Sequence, residues 1–221
     1  MLMKMKHAYS RRARKRRAAV FRRLFPGAMN QSILDLGGGD GKHIASVVPG
    51  HTNVTIAEIG RKKLDYAESQ FGHKTRVLSE SPRLPFEDGE FDIVFCSSVI
   101  EHVTGPKDEV GNIRSTAVFE AQAAVHQRNF AGEVRRIGRG YFVQTPYKHF
   151  PIESHTLAPG FVVLLPRSIQ LWLWKSWPFY NHVADFNLLT VRDMQQCFPD
   201  AEIHRESVLG LTKSIMAVRR I

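Results

Sequence analysis

Two hydrophobic patterns alternate along the chain. One is a short apolar run, and the other is a segment in which apolar residues recur with helical spacing. Five short apolar runs have the length and the β-branched or aromatic content of buried strands: residues 31–36, 53–59, 75–79, 91–97 and 141–145. Helical spacing separates several of them, over residues 43–48, 62–71 and 116–137. This alternation predicts an open, mostly parallel α/β sheet with helices on both faces.

The end of the chain predicts a different connection. Thr190 and Asp193 have the spacing of a capping box, which begins a helix that runs through Cys197. Strand patterns over residues 202–208 and 211–218 follow, and the two residues between them leave no room for a crossover helix. We therefore predict a seven-stranded sheet that ends in an antiparallel hairpin.

A glycine-rich turn directly follows the first predicted strand. It has the pattern Asp35-x-Gly37-x-Gly39-x-Gly41, and glycine allows the backbone to turn sharply and to approach a ligand closely. The dinucleotide-binding pattern G-x-G-x-x-G is not matched, because its third glycine is absent in either register. By itself the turn is compatible with a ligand site or with a purely structural turn.

An acidic residue at the end of the second predicted strand favours the ligand site. Glu58 comes 23 residues after Asp35, and a carboxylate at this position can accept hydrogen bonds from both hydroxyls of a ribose. Ligands of open α/β sheets bind beyond the carboxyl ends of the strands. The glycine turn and Glu58 together therefore predict a nucleoside-containing cofactor.

Residues 33–41, Glu58 and the segment 84–94, which continues to residue 103, resemble class I S-adenosylmethionine-dependent methyltransferases of the type 11 family. The Leu-Pro-Phe turn followed by Phe-Asp and a strand is the more specific part, and the similarity covers about residues 25–145. It implies a Rossmann-like fold, methyltransferase activity and S-adenosylmethionine as cofactor.

The resemblance also implies roles for individual residues. Glu80 stands where the family usually has an aspartate near the adenine amino group. The methionine end of the cofactor is assigned to Asp35, Gly37 and Gly39, and the sulfonium is placed beside Ser97. The ribose is assigned to Glu58, and the adenine is assigned to Ile59 and Glu80.

Methyl transfer from a sulfonium requires alignment and, for some acceptors, removal of a proton. His102 follows the fourth predicted strand and His155 follows the fifth, so either imidazole is a candidate base. The alternative is that these histidines only order their loops. The Asn-Pro-Pro-Tyr tetrapeptide of amine methylation is absent, which favours transfer to oxygen, and no metal-ligand cluster stands out.

Charge is concentrated at the N-terminus. The formal net charge is +10, and residues 1–23 hold ten lysines and arginines and no acid, so the rest of the chain is balanced. We expect a basic arm or helix over residues 1–25 and a methyltransferase domain over residues 26–221. The arm is interpreted as a solvated tail, a contact with an anionic membrane, or, less favoured, a contact with RNA phosphate.

A second unusual segment, residues 157–181, is rich in apolar residues and contains all three tryptophans. It predicts a lid over the acceptor, a segment at a membrane interface, or a helix packed on the sheet. Only two cysteines and no long apolar run are present, so we expect a cytoplasmic protein, peripheral at the inner membrane face if the segment binds lipid.

Together with these patterns, the resemblance implies an S-adenosylmethionine-dependent enzyme that methylates a small-molecule or lipid- or glycan-linked acceptor, at oxygen. The alternatives are an RNA or protein methyltransferase guided by the arm, and a binding subunit that keeps the fold without turnover.

Overall fold

The computed structural model describes residues 2–79, 81–152, 159–176 and 185–221. The helices are α1 (Leu2–Leu24), α2 (Lys42–Val47), α3 (Arg61–Phe71), α4 (Lys107–Val110), α5 (Thr116–Ile137), α6 (Arg167–Ser176) and α7 (Val191–Cys197). The strands are β1 (Ile33–Leu36), β2 (Val54–Glu58), β3 (Lys74–Val77), β4 (Phe91–Ser97), β5 (Gly138–Pro146), β6 (Glu202–Val208) and β7 (Leu211–Arg219). Short 3₁₀ turns cover Ala28–Asn30, Ile100–His102 and Gly160–Leu164.

Within these residues the strands form one seven-stranded sheet in the order β3-β2-β1-β4-β5-β7-β6. Strand β1 pairs in parallel with β2 and with β4, and β2 pairs in parallel with β3. Strands β6 and β7 pair antiparallel across a turn in which Leu209 and Gly210 have φ values of 51° and 78°. The predicted fold class, a Rossmann-like and mostly parallel sheet that ends in an antiparallel hairpin, is confirmed.

The boundaries of the elements agree with the predictions within a few residues. Helix α7 begins with the predicted capping box, in which the Asp193 backbone N–H donates to Thr190 Oγ1 at 3.2 Å and the Thr190 N–H donates to Asp193 Oδ2 at 2.8 Å. Strand β5 begins at Gly138, earlier than its apolar pattern predicts. A Cβ at Gly140 would lie 2.8 Å from the carbonyl oxygen of Arg219, so this strand requires a glycine that the pattern excludes from strands.

The chain divides into two compact units. The first comprises residues 1–97, 135–142 and 219–221, and the second comprises residues 98–134 and 143–218. In the first unit β1 is buried over its whole length and β4 over most of it, as expected for strands covered on both faces. Helix α3 buries Leu64 and Ala67 and ends at Gly72, whose φ of 65° is the left-handed conformation common after a helix.

The end of helix α1 packs into the core of the first unit. The ring of Phe21 is fully buried and meets Phe95 and Phe142 edge to face, with ring centroids 5.3 and 5.5 Å apart. The Arg22 guanidinium donates to the Val47 carbonyl oxygen at 2.9 Å, which gives a partner to the last turn of α2. The basic arm therefore forms helix α1 itself, and the C-terminal end of this helix is anchored on the sheet.

The second unit has its own apolar cluster, formed by Val162, Phe186 and Leu188. Arg167, on α6, is almost fully buried, and its guanidinium carbon lies 3.9 Å from the centroid of the Phe119 ring. None of the helices in the described residues is long and apolar enough to cross a bilayer.

Replacement of Phe21 by alanine removes a buried ring, and we expect it to lower the free energy of unfolding by about 3–5 kcal/mol. Denaturant titration followed by circular dichroism measures the loss. The control is Phe161→Ala, because that phenylalanine is 61% exposed and its removal leaves no cavity. Equal losses in the two variants would show that Phe21 does not anchor α1.

Candidate active site

The glycine turn after β1 takes a backbone conformation that other residues rarely adopt. Gly37, Gly39 and Gly41 have φ values of 73°, 60° and 74°, all in the left-handed region. A Cβ at Gly41 would lie 2.7 Å from Cδ1 of Ile56, so this glycine is also required by packing. A Cβ at Gly39 would meet nothing closer than the Glu58 side chain and the Lys63 side chain, both at 4.0 Å, so this part of the turn is open.

Asp35, in β1, lies directly beneath the turn. Its side chain is almost completely buried, and its Oδ2 atom has no hydrogen-bond partner within the described part of the chain. A Cβ at Gly38 would overlap this carboxyl group, so the turn can close over it only with glycine. Burial, and secondarily the negative charge of Glu58, raises the pKa of Asp35 to about 8.

Glu58 ends β2 at the same edge of the sheet, because Leu36 and Ala57 are paired in the β1–β2 register. Its Oε1 atom accepts the Ile59 backbone N–H at 3.0 Å. Its Oε2 atom lies 3.6 Å from the Lys63 ammonium, a distance that leaves this oxygen able to accept further hydrogen bonds. The side chain of Ile59, the next residue, is exposed beside it.

Ser97 is the last residue of β4 and is half-buried. Asp35 pairs with Phe95 in the parallel β1–β4 register, so Ser97 lies two residues beyond that pair, toward the carboxyl end. Glu80 and His155 lie outside the described residues, and their roles stay predictions.

Helix α1 places positive charge beside the glycine turn, which the sequence did not indicate. The pKa of Asp40 is lowered overall. Burial raises this pKa, but the hydrogen bonds with Lys42 and the charge of Arg14 lower it by more. Burial, and secondarily the charges of Arg17 and Arg14, lowers the pKa of His43 to about 3, so this imidazole is neutral. The basic helix thus gives the turn a positive environment.

In the second unit, the predicted base His102 has an ionised partner. Its Nδ1 atom lies 3.0 Å from Asp185 Oδ1, and the Lys107 ammonium lies 2.9 Å from Oδ2 of the same carboxylate. Burial raises the pKa of Asp185, but the hydrogen bonds and charges of His102 and Lys107 outweigh it and lower the pKa to about 2. Because Asp185 is a carboxylate at neutral pH, it is an acceptor for a hydrogen bond from His102 Nδ1.

Backbone contacts fix Asp185 relative to His102. Thr104 Oγ1 donates to the Asp185 carbonyl oxygen at 2.7 Å, and the Asn187 N–H donates to the Glu101 carbonyl oxygen at 2.7 Å. Gln127, which is buried on α5, donates to the Asn187 carbonyl oxygen at 2.9 Å. Sequence reasoning missed Asp185 because 83 residues separate it from His102 and no local spacing connects the two.

Replacement of Asp35 by asparagine should change how stability depends on pH. The pKa of Asp35 in the folded protein, about 8, is above its ordinary value of 3.8, so its favourable contribution is complete below pH 3.8 and is lost as the pH rises toward 8. We expect the stability of the wild type to fall relative to Asp35→Asn by up to about 1.4 kcal/mol per pH unit between these limits.

Denaturant midpoints of both proteins, measured from pH 5 to about pH 9, give this difference. The exposed Asp65→Asn variant is the control and should track the wild type. A constant difference between Asp35→Asn and the wild type would show that Asp35 is ionised at neutral pH.

Many solved structures share the fold, and three of them illustrate it. The chain is similar to a magnesium protoporphyrin IX methyltransferase from Synechocystis PCC 6803 with bound S-adenosylhomocysteine, at 14% identity, a TM-score of 0.51, and coverage of 93% of this chain and 83% of that one. It is similar to a Haloferax volcanii methyltransferase determined in complex with its activator, at 12% identity, a TM-score of 0.52, and coverage of 91% and 92%. The third is an S-adenosylmethionine-dependent methyltransferase from Clostridium acetobutylicum ATCC 824, at 11% identity, a TM-score of 0.51, and coverage of 86% and 85%.

Among curated proteins, none matches this sequence. Residues 34–116 match the family described as "Methyltransferase domain", and this range holds β1, the glycine turn, Glu58, β4 and His102. The family match, the strand order and the glycine turn with its buried acid agree with one another. On these grounds residues 34–116 form a methyltransferase domain, in a chain whose fold is shared with S-adenosylmethionine-dependent methyltransferases.

Proposed function

We propose that this methyltransferase transfers a methyl group to a hydroxyl oxygen of a small-molecule or lipid- or glycan-linked acceptor, with His102 as the general base. The observation that carries the proposal is the contact between His102 and the ionised Asp185. A hydroxyl needs to lose its proton as it attacks, whereas a carbanion or an unprotonated amine does not. A preorganised base therefore favours oxygen as the acceptor atom.

The residues of the first unit suit the cofactor. The buried oxygen of Asp35 lacks a partner within the described residues, and it is a suitable acceptor for the positively charged methionine end, which Gly37 and Gly39 would hold in place. Glu58 would accept the ribose hydroxyls through Oε2 and displace the weak contact with Lys63. Ile59 would cover the adenine face, Ser97 would lie beside the sulfonium, and Glu80 would contact the adenine amino group.

When bound, S-adenosylmethionine supplies a methyl group on a leaving group that is already activated by its positive charge. Little further activation is then required from the protein, and alignment becomes its main contribution. The glycine turn over Asp35 and the strand-end position of Glu58 would hold two parts of the cofactor at the edge of the sheet. The chemical task that remains for the protein is the removal of a proton from the acceptor.

His102 is equipped for this task. In the proposed tautomer, His102 Nδ1–H donates to Asp185, and Nε2 is the ring nitrogen that would take up a proton. As His102 becomes positively charged, the Asp185 carboxylate stabilises it, as an acidic partner does for other catalytic histidines. Lys107 holds the second oxygen of Asp185 and so fixes the orientation of the carboxylate. His155 remains the second candidate base.

One observation favours a second candidate function. Arg14, Lys15 and Arg16 are exposed on α1, and Arg14 acts electrostatically on the glycine turn. An RNA or protein acceptor guided by the basic helix would use this charge. A binding subunit without turnover is the third alternative, and it predicts cofactor binding without methyl transfer.

Calorimetric titration with S-adenosylhomocysteine tests the cofactor site. We expect micromolar binding that Glu58→Ala weakens at least tenfold, because each hydrogen bond to a charged group contributes about 1.5–3 kcal/mol. Glu68→Ala, an exposed acid on α3, is the matched control and should bind as the wild type does. Absence of binding by the wild type, or equal binding of NAD, would contradict the assignment.

Transfer from methyl-labelled S-adenosylmethionine into fractionated cell extract tests the acceptor and the base. We expect label in the small-molecule or lipid fraction, and a rate about 100-fold lower in Asp185→Asn. The affinity for S-adenosylhomocysteine should be unchanged in that variant. Asp108→Asn, an exposed acid on α4, is the control.

Label in the RNA or protein fraction, abolished by replacing Arg14, Lys15 and Arg16 with glutamine, would instead establish the second function. No label in any fraction would indicate the binding subunit. A rate in Asp185→Asn equal to that of the wild type would remove His102 from the proton transfer.

A further inference from the structure

Helix α1, in the first unit, carries a row of basic residues on its exposed side. Lys15 and Arg22 are seven residues apart, Arg16 and Arg23 are also seven residues apart, and all four residues are exposed. Seven residues are close to two helical turns, so the members of each pair lie on the same side of the helix, about 11 Å apart along its axis. We name these four residues the basic strip.

Another side of α1 packs on the rest of the first unit. Ala13 and Phe21 are buried there, and the Phe21 ring meets Phe95 edge to face. The Arg22 guanidinium donates to the Val47 carbonyl oxygen at 2.9 Å and so connects the strip to α2. The basic strip is therefore carried by a packed helix, and less backbone entropy is lost when a partner binds than a free tail would lose.

The charge of the basic strip is not neutralised within the described part of the chain. No described carboxylate forms an ion pair with Lys15, Arg16 or Arg23, and the first acidic residue of the sequence is Asp35. Like charges that are close together on a helix repel each other and lower its stability. An anionic partner would remove this repulsion, so the strip is suited to binding negative charge.

We propose that the basic strip binds the phosphate backbone of a nucleic acid. A row of cations along a helix matches a row of phosphates, which follow one another about every 3.4 Å along each strand of a DNA duplex. Three of the four residues of the strip are arginines, and a guanidinium can donate two parallel hydrogen bonds to one phosphate. Contacts of this kind position the protein on the backbone and do not depend on the base sequence.

The position of the apolar residues on α1 favours a nucleic acid over a lipid bilayer. A helix that lies in a bilayer interface inserts an apolar face between the headgroups. Among the described side chains of residues 13–23, those that are exposed are all basic except Ala19, and the large ring of Phe21 is in the core. The described part of α1 thus presents charge without an apolar face to insert. This inference goes beyond the methyl transfer proposed above and stands without it, because a bound nucleic acid need not be the methyl acceptor.

Fluorescence anisotropy with two labelled probes, a single-stranded RNA of mixed sequence and a DNA duplex of the same length, tests this inference. We expect the full-length protein to bind at low salt, and the triple variant Lys15→Gln, Arg16→Gln, Arg23→Gln to bind at least tenfold more weakly. The slope of log affinity against log salt should become shallower by about 2 for the RNA, because each phosphate contact of a single strand contributes about 0.7. Arg22 is kept because it connects α1 to α2.

The matched control removes the same charge from exposed positions of the first unit outside α1. It is the triple variant Lys62→Gln, Arg76→Gln, Arg83→Gln, and it should bind the probes as the wild type does. An equal loss of affinity in the two triple variants would show that only net charge matters, and would overturn the proposal.

Two further measurements make the outcomes distinct. Sedimentation with vesicles of phosphatidylcholine and phosphatidylglycerol in equal parts tests the lipid, and unlabelled RNA should release any protein that the vesicles hold. Failure of the wild type to bind either probe, full binding by the α1 triple variant, or binding to vesicles that RNA does not reverse would each overturn the proposal. Titration of S-adenosylhomocysteine into the same proteins shows separately whether the cofactor site is intact, and we expect the same affinity in all of them.

Discussion

The buried carboxyl group of Asp35 is the constraint on which the first unit depends. A carboxylate in an apolar environment is costly unless it is protonated or paired, and here burial raises its pKa to about 8. The turn above it can pass so closely only because residue 38 has no Cβ. The left-handed glycines at positions 37, 39 and 41 then return the chain to α2. The fold thus keeps an unfavourable group at the place where a cationic ligand would make it favourable.

The first unit was largely predictable because its signals are local. The glycine turn, the apolar strands and the acid after β2 each occupy a few consecutive residues, and the parallel register then places Asp35 and Glu58 at one edge. The capping box at Thr190 is equally local and is present as predicted. The early start of β5 was missed because Gly140 is required by the backbone of a distant residue, Arg219, which no periodicity shows.

The second unit was less predictable because its contacts connect distant parts of the chain. The sequence marked residues 157–181 as apolar without showing which side chains are buried. In the described part of that segment, Val162 is in the core while its neighbour Phe161 is exposed. Arg167, by contrast, is buried against the ring of Phe119, although charge predicts exposure. Which side of an apolar helix faces the core depends on tertiary contacts, and these are absent from a local pattern.

Asp35 and Asp185 have opposite electrostatic environments, and this difference indicates different roles. The Oδ2 atom of Asp35 is buried without a hydrogen-bond partner among the described residues, and burial raises the pKa of this carboxyl group to about 8. Asp185 is buried between His102 and Lys107, so its pKa falls to about 2 and it needs no ligand to be stable. A carboxyl group that lacks a partner is suited to binding, whereas one that is already paired is suited to orienting its neighbour. In the proposed reaction, Asp35 would bind the methyl donor and Asp185 would orient the base.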